Sequence, residues 1–129
     1  MKSKKLKLIL TECIGLILTT IAVAGVYSLN APSVPRALWI SNFEETECTV
    51  VFSPPASDGG SPLTGYVIEV KDGRLGLSWN YYAHLPASVT TCTIRDRKPG
   101  SVVKIRVFAE NVFGRSDPAK IVVELPKVD

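Results

Sequence analysis

The chain has 129 residues, 46% of them hydrophobic and 21% charged, a globular composition with room for one ordinary domain and no second full core. Its net charge of +3 is confined to the first thirty residues, where Lys2, Lys4, Lys5 and Lys7 stand against Glu12, because residues 31–129 carry 11 basic and 11 acidic side chains. A neutral domain lacks the basic footprint that nucleic-acid binding needs, so nucleic acid is set aside as a partner.

From Cys13 to Leu29 no residue is charged, the run follows a lysine-rich stretch, and it contains the small-x-small site Ala22-Val23-Ala24. That is the grammar of a signal peptide cleaved after Ala24. As a hydrophobic N-terminal helix the run also reaches the lower limit of the roughly 17 to 25 residues that span a bilayer. Residues 1–30 therefore read as a signal peptide or a signal-anchor, with membrane contact through residues 13–29. The lysines then hold the N-terminus inside, and the expected location is membrane or secreted. Two alternatives stand beside this: a buried helix, which one small domain would have to cover, and a leader foreign to the domain, joined by a mis-assembled reading frame.

After Asn30 the chain changes to Ala31-Pro32-Ser33-Val34-Pro35, which interrupts helix twice and reads as a stiff linker over 31–35. A domain over 36–126 and a tail over 127–129 follow. Short alternating runs recur there between turn signals, with no helical period, which is the pattern of an all-β sandwich or barrel. Leu38 and Ile40 alternate in a first strand, and Cys48, Val50 and Phe52 in a second that Pro54-Pro55 stops. In Asp58-Gly59-Gly60-Ser61-Pro62, a dense turn cluster, glycines supply positive φ. Tyr66, Ile68 and Val70 alternate in a third strand ending at Asp72-Gly73.

Trp79, Tyr81 and Tyr82 make an aromatic strand of unclear polarity, and Thr91 to Ile94 a short β-branched one. Val103, Ile105, Val107 and Ala109 then alternate with Lys104, Arg106, Phe108 and Glu110, an apolar-in, polar-out strand with Phe108 as an exposed aromatic. Gly114 to Pro118 turns the chain, and Ile121, Val123 and Leu125 close the fold. The expected architecture is a seven-stranded antiparallel two-sheet sandwich.

The stretch from Pro54 to Glu69, Pro-Pro-Ala-Ser-Asp-Gly-Gly-Ser-Pro-Leu-Thr-Gly-Tyr-Val-Ile-Glu, closely resembles fibronectin type III modules, in particular those of titin, twitchin and myosin-binding protein C. Trp79, Lys98-Pro99-Gly100, Ile105 to Asn111 and Gly114 to Pro118 follow in the family's order and at its spacing, so the likeness covers about three quarters of the chain. Where the family usually has a leucine and a tyrosine around Pro-Gly, this chain has Arg97 and Val103. The tyrosine-corner hydrogen bond cannot form, a loss of about 1 kcal/mol unless replaced. Phe52 stands where the second strand usually carries tryptophan, which keeps an aromatic core at smaller volume.

The resemblance implies a non-catalytic protein-protein interaction or structural spacer module, cytoplasmic and sarcomere-associated. Its partners would be filament proteins such as myosin, or adjacent immunoglobulin-like or fibronectin type III modules, with no small-molecule substrate. The leader motivates the alternative, an exported or membrane-tethered cell-surface module for adhesion or ligand reception.

Chemistry finds little purchase. His84, the single histidine, falls in a segment between strands and has no nucleophile or second base near it in sequence, so no enzyme is expected. Three cysteines without Cys-x-x-Cys spacing make no metal site, and no cofactor is expected. Cys48 and Cys92 take inward positions on neighbouring strands, where a disulfide is conceivable; antiparallel pairing, which sets the start of the second strand against the end of the fifth, favours free thiols instead. Buried free thiols, and the lack of an Asn-x-Ser/Thr sequon at Asn30, Asn42, Asn80 and Asn111, favour the cytosol, against the leader. Gly59-Gly60 lacks the helix and lysine of a phosphate cradle. What remains is surface: Val67, Glu69, Lys71, Lys104, Arg106 and Phe108 form a mixed, partly apolar sheet face that suits partner docking or is an ordinary solvated face.

Overall fold

The computed structural model describes residues 29–73 and 78–129. The N-terminal helix, signal or anchor expected over the leader lies outside the described residues, as does the expected cleavage after Ala24. Among the described residues every regular element is a strand, and no helix is long and apolar enough to cross a membrane.

The strands are β1 (Arg36–Phe43), β2 (Cys48–Ser53), β3 (Gly65–Asp72), β4 (Asn80–Leu85), β5 (Thr91–Ile94), β6 (Val102–Asn111), β7 (Gly114–Arg115) and β8 (Ala119–Glu124). One sheet has the order β1-β2-β5; the other has β4-β3-β6-β7, with β8 also paired to β6. All pairings are antiparallel. The expected count of seven strands is corrected to eight, because Gly114 and Arg115, expected in a turn, pair with Asn111 and Glu110.

Alternation decides the core. Cys48, Val50 and Phe52 from β2 meet Tyr66, Ile68 and Val70 from β3, and Val103, Ile105, Val107 and Ala109 from β6, all buried, with Ile94, Val123 and Leu125 closing the cluster. β3 and β6 form the spine of the larger sheet, paired from Gly65↔Glu110 to Asp72↔Val103.

β4 breaks the rule of two. An irregularity opposite Ile68 and Glu69 sets His84 across from Val67 and Tyr81 across from Glu69. Residues three apart thus share the outward face, which is why this segment's polarity is unclear in the sequence. It also corrects the placement of His84, which lies within a strand. Tyr82 turns the other way: its hydroxyl donates to the Thr93 carbonyl at 3.1 Å and accepts from the Arg95 amide at 2.9 Å, tying one sheet to the other.

Residues 30–35 run along the β2–β3 loop. Pro32 and Pro35 are buried. The Asn30 amide donates to the Gly59 carbonyl at 2.9 Å, and Ser33 exchanges hydrogen bonds with Ser57. Gly59, at φ +78°, has no room for a side chain, since a Cβ there would lie 2.1 Å from the Asn30 carbonyl oxygen.

At the corner before β6, where the tyrosine-corner bond is absent, Arg97 makes contacts of its own. Its amide donates to the Thr46 carbonyl, its Nε to the Arg95 carbonyl and its Nη1 to Asp72 at 2.8 Å. Val103, opposite Asp72, is fully buried. Cys48 faces Ile94 and Cys92 faces Val50, so the two thiols stand two residues out of register, and both are free.

A cation-aromatic ladder as the candidate interaction face

The β3–β6 register brings all six expected surface residues together in cross-strand pairs: Val67 opposite Phe108, Glu69 opposite Arg106 and Lys71 opposite Lys104. Two of them are not accessible. Val67 is 3% exposed and Phe108 7%, which corrects the expectation of an exposed aromatic. The reason is overhead cover, for the guanidinium carbons of Arg106 and Arg115 sit 5.1 and 4.7 Å from the Phe108 ring centre.

That cover belongs to a longer stack. Lys71 Nζ lies 4.9 Å from the centre of the Trp79 ring, and Arg106 lies 4.4 Å from the same ring. Lys71, Trp79, Arg106, Phe108 and Arg115 therefore alternate cation and ring along the face. Each such contact contributes about 0.5 to 2 kcal/mol, more as water is excluded.

Carboxylates lock the cations laterally. Arg106 donates from Nε and Nη2 to Glu69 Oε1 at 2.7 and 2.6 Å, while Arg115 Nη1 lies 3.8 Å from Glu69 Oε2. Arg115 Nε donates to Glu110 Oε2 at 3.0 Å, and His84 Nε2 lies 3.4 Å from Glu110 Oε1. A charge-assisted network of this kind holds its side chains in one arrangement more firmly than an isolated surface pair does. Sequence reasoning missed Trp79, His84 and Arg115 as members of this face. Glu110 was legible, two residues beyond Phe108 on the outward side of β6; His84 was hidden by the irregular β4, Trp79 by its place just before that strand, and Arg115 by the two-residue β7.

A second polar centre sits at the end of the sandwich where residue 30 enters. Asn111 is buried, and its Nδ2 donates to the Asn30 and Asp58 carbonyls, both at 2.7 Å. Its Oδ1 accepts from the Phe113 and Gly114 amides at 2.8 and 3.1 Å. One amide thus joins the N-terminal segment, the β2–β3 loop and the β6–β7 hairpin, with Val112 and Phe113 exposed at the hairpin tip.

Groups suited to catalysis do not gather. Among the described residues no three metal-ligating side chains cluster, and the ionisable partner of His84 is Glu110. Burial pushes the Cys48 thiol up to about 11 and raises that of Cys92, the opposite of what a reactive nucleophile needs.

Two antiparallel sheets enclosing one dry core, with a structured outer face and no reactive cluster among the described residues, define an immunoglobulin-like β-sandwich module. The chain belongs to the fibronectin type III family: the family described as Fibronectin type III domain matches residues 33–124. It is similar to human cardiac-type myosin-binding protein C, 35% identical over 95 residues, which are 70% of this chain and 7% of that protein. It is similar to the twitchin kinase region from C. elegans, at 34% identity and TM-score 0.68, over 74% of this chain and 17% of that one. A further relative, from Xenopus laevis, is the cell adhesion molecule-related/down-regulated by oncogenes protein, 37% identical over 67% of this chain and 7% of its own length. The chain spans less than a tenth of the two curated relatives.

Proposed function

We propose that this chain is a non-catalytic interaction and spacer module of the muscle giant-protein type, and that it docks partners on the outer face of β4, β3, β6 and β8. The observation that carries this reading is the ladder from Lys71 to Arg115. A face whose long side chains are already stacked and ion-paired loses little conformational entropy on binding, so more of its contact energy appears as affinity. The similarity to myosin-binding protein C supports myosin, or a neighbouring module of a filament protein, as the partner, in the cytoplasm of a muscle cell.

Co-sedimentation of the full chain with assembled muscle myosin filaments tests this. The chain should pellet with the filaments, and Tyr81→Ala combined with Val122→Ala should weaken binding several-fold without changing the far-UV circular dichroism. A chain that stays in the supernatant at every myosin concentration contradicts the reading.

The Xenopus relative supports a second reading, an exported or membrane-tethered adhesion module. Cell fractionation with N-terminal sequencing separates the two: cleavage after Ala24, or recovery in the membrane fraction, favours export.

A further inference from the structure

We infer that the partner surface taken by this face is acidic, a stripe of carboxylates bordered by apolar side chains; the inference rests on the docking reading above. Residues 31–129 sum to zero charge, yet five of their eleven basic residues, Lys71, Lys104, Arg106, Arg115 and Lys120, belong to this one sheet face. Lys120 stands opposite Arg106 on β8 and is exposed.

The carboxylates on the face do not cancel that excess. Glu69 is held between Arg106 and Arg115, and Glu110 between Arg115 and His84. Glu124, opposite Val102, is the diagonal neighbour of Lys104, which stands opposite Val122. Five cations against three carboxylates leave the face positive.

The other sheet presents a different surface. Its outward rows pair Trp39 with Val51, Val51 with Thr91 and Thr49 with Thr93, all uncharged, and Arg36 with Ser53; beyond Thr49 and Thr93, Arg95 and Glu47 pair with each other. Most remaining acids lie in turns, among them Glu44, Glu45, Asp58, Asp96 and Asp117. Zero net charge therefore conceals two faces of unlike character, one with five cations and one sparsely charged, where Arg36 is the cation outside the Arg95–Glu47 pair.

Apolar groups border the cationic stripe. Tyr81 on β4 is 67% exposed and Val122 on β8 is 60% exposed. They stand three strand spacings and two residues of strand rise apart, roughly 16 Å, Tyr81 in the row of Glu69, Arg106 and Lys120 and Val122 in the row of Lys104 and Lys71. A protein surface with carboxylates in the middle and apolar groups at both margins complements this pattern. An anionic bilayer complements it less well, because the apolar groups sit at opposite edges instead of forming one insertable patch.

Fluorescence anisotropy of the full chain tests the inference with a labelled twenty-residue Glu/Leu peptide, its Lys/Leu counterpart, and vesicles of equal phosphatidylserine and phosphatidylcholine. The Glu peptide should bind, the Lys peptide should not, and affinity should fall several-fold between 50 and 200 mM salt. Lys71→Glu with Lys120→Glu should weaken binding about tenfold at unchanged circular dichroism, and Thr49→Lys on the opposite sheet should leave it unaltered. Equal binding of both peptides, indifference to the charge reversal, or binding to the vesicles in preference to the Glu peptide overturns the inference. Myosin co-sedimentation that still responds to Tyr81 and Val122 would then preserve the docking reading; its loss would remove that reading as well.

Discussion

The ring of Phe52 meets that of Tyr66 edge-on, centroids 4.8 Å apart and planes inclined at 69°, joining β2 to β3 across the interior. This contact fills the place where the family usually packs a tryptophan. Tyr66 is fully buried, and its hydroxyl has no hydrogen-bond partner among the described residues. An orphaned buried hydroxyl costs about 1 to 3 kcal/mol. Tyr66→Phe keeps the ring contact and should raise stability by roughly 1 kcal/mol, read as a higher urea midpoint at unchanged slope. A lower midpoint would show that the hydroxyl is satisfied.

Asn111 joins three segments through four hydrogen bonds. Asn111→Ala should cost about 2 to 4 kcal/mol, since two carbonyls and two amides lose their partner together. Amide exchange should quicken most at Asn30, Phe113 and Gly114. Uniform acceleration across the domain would mean that the side chain supports global stability alone.

Ile105 is fully buried and its neighbour Lys104 points outward. Ile105→Asp buries an unpaired charge and should abolish cooperative folding, while Lys104→Asp should change stability by less than about 1 kcal/mol. Circular dichroism during thermal melting distinguishes them, and equal effects would overturn the strand register.

Cys48 carries a pH signature. Burial raises its folded-state value to about 11 from 9.0, so the folded chain holds this proton more tightly than the unfolded chain. The stability it contributes is fully present below pH 9 and is lost as pH rises through 11, up to roughly 3 kcal/mol. Denaturation midpoints at pH 8 and pH 10.5 should therefore diverge less for Cys48→Ala than for the native chain. Native Cys48 should also react slowly with thiol reagents at pH 8.

Much of the fold is legible in the chain. Val103, Ile105, Val107 and Ala109 declare the inward side of β6 by strict alternation, and Tyr66, Ile68 and Val70 do the same for β3. Pairing those strands then delivers Glu69 to Arg106. The face itself was less legible. His84 reaches it through an irregular β4, where a period of two no longer predicts direction, Trp79 from just before that strand, and Arg115 through a strand too short to leave a periodic trace.

Alternation and turn chemistry are local, so the amino-acid sequence alone determined the sandwich, its core and the neutral overall charge. Contacts made across strands are not local. Whether Phe108 is open to solvent or roofed by Arg106 and Arg115, and whether Asn111 closes the end of the domain, depended on segments as many as 81 residues apart along the chain. Only folding brings those groups within reach of one another, and so only the tertiary structure turned a list of outward residues into a stacked, cationic face.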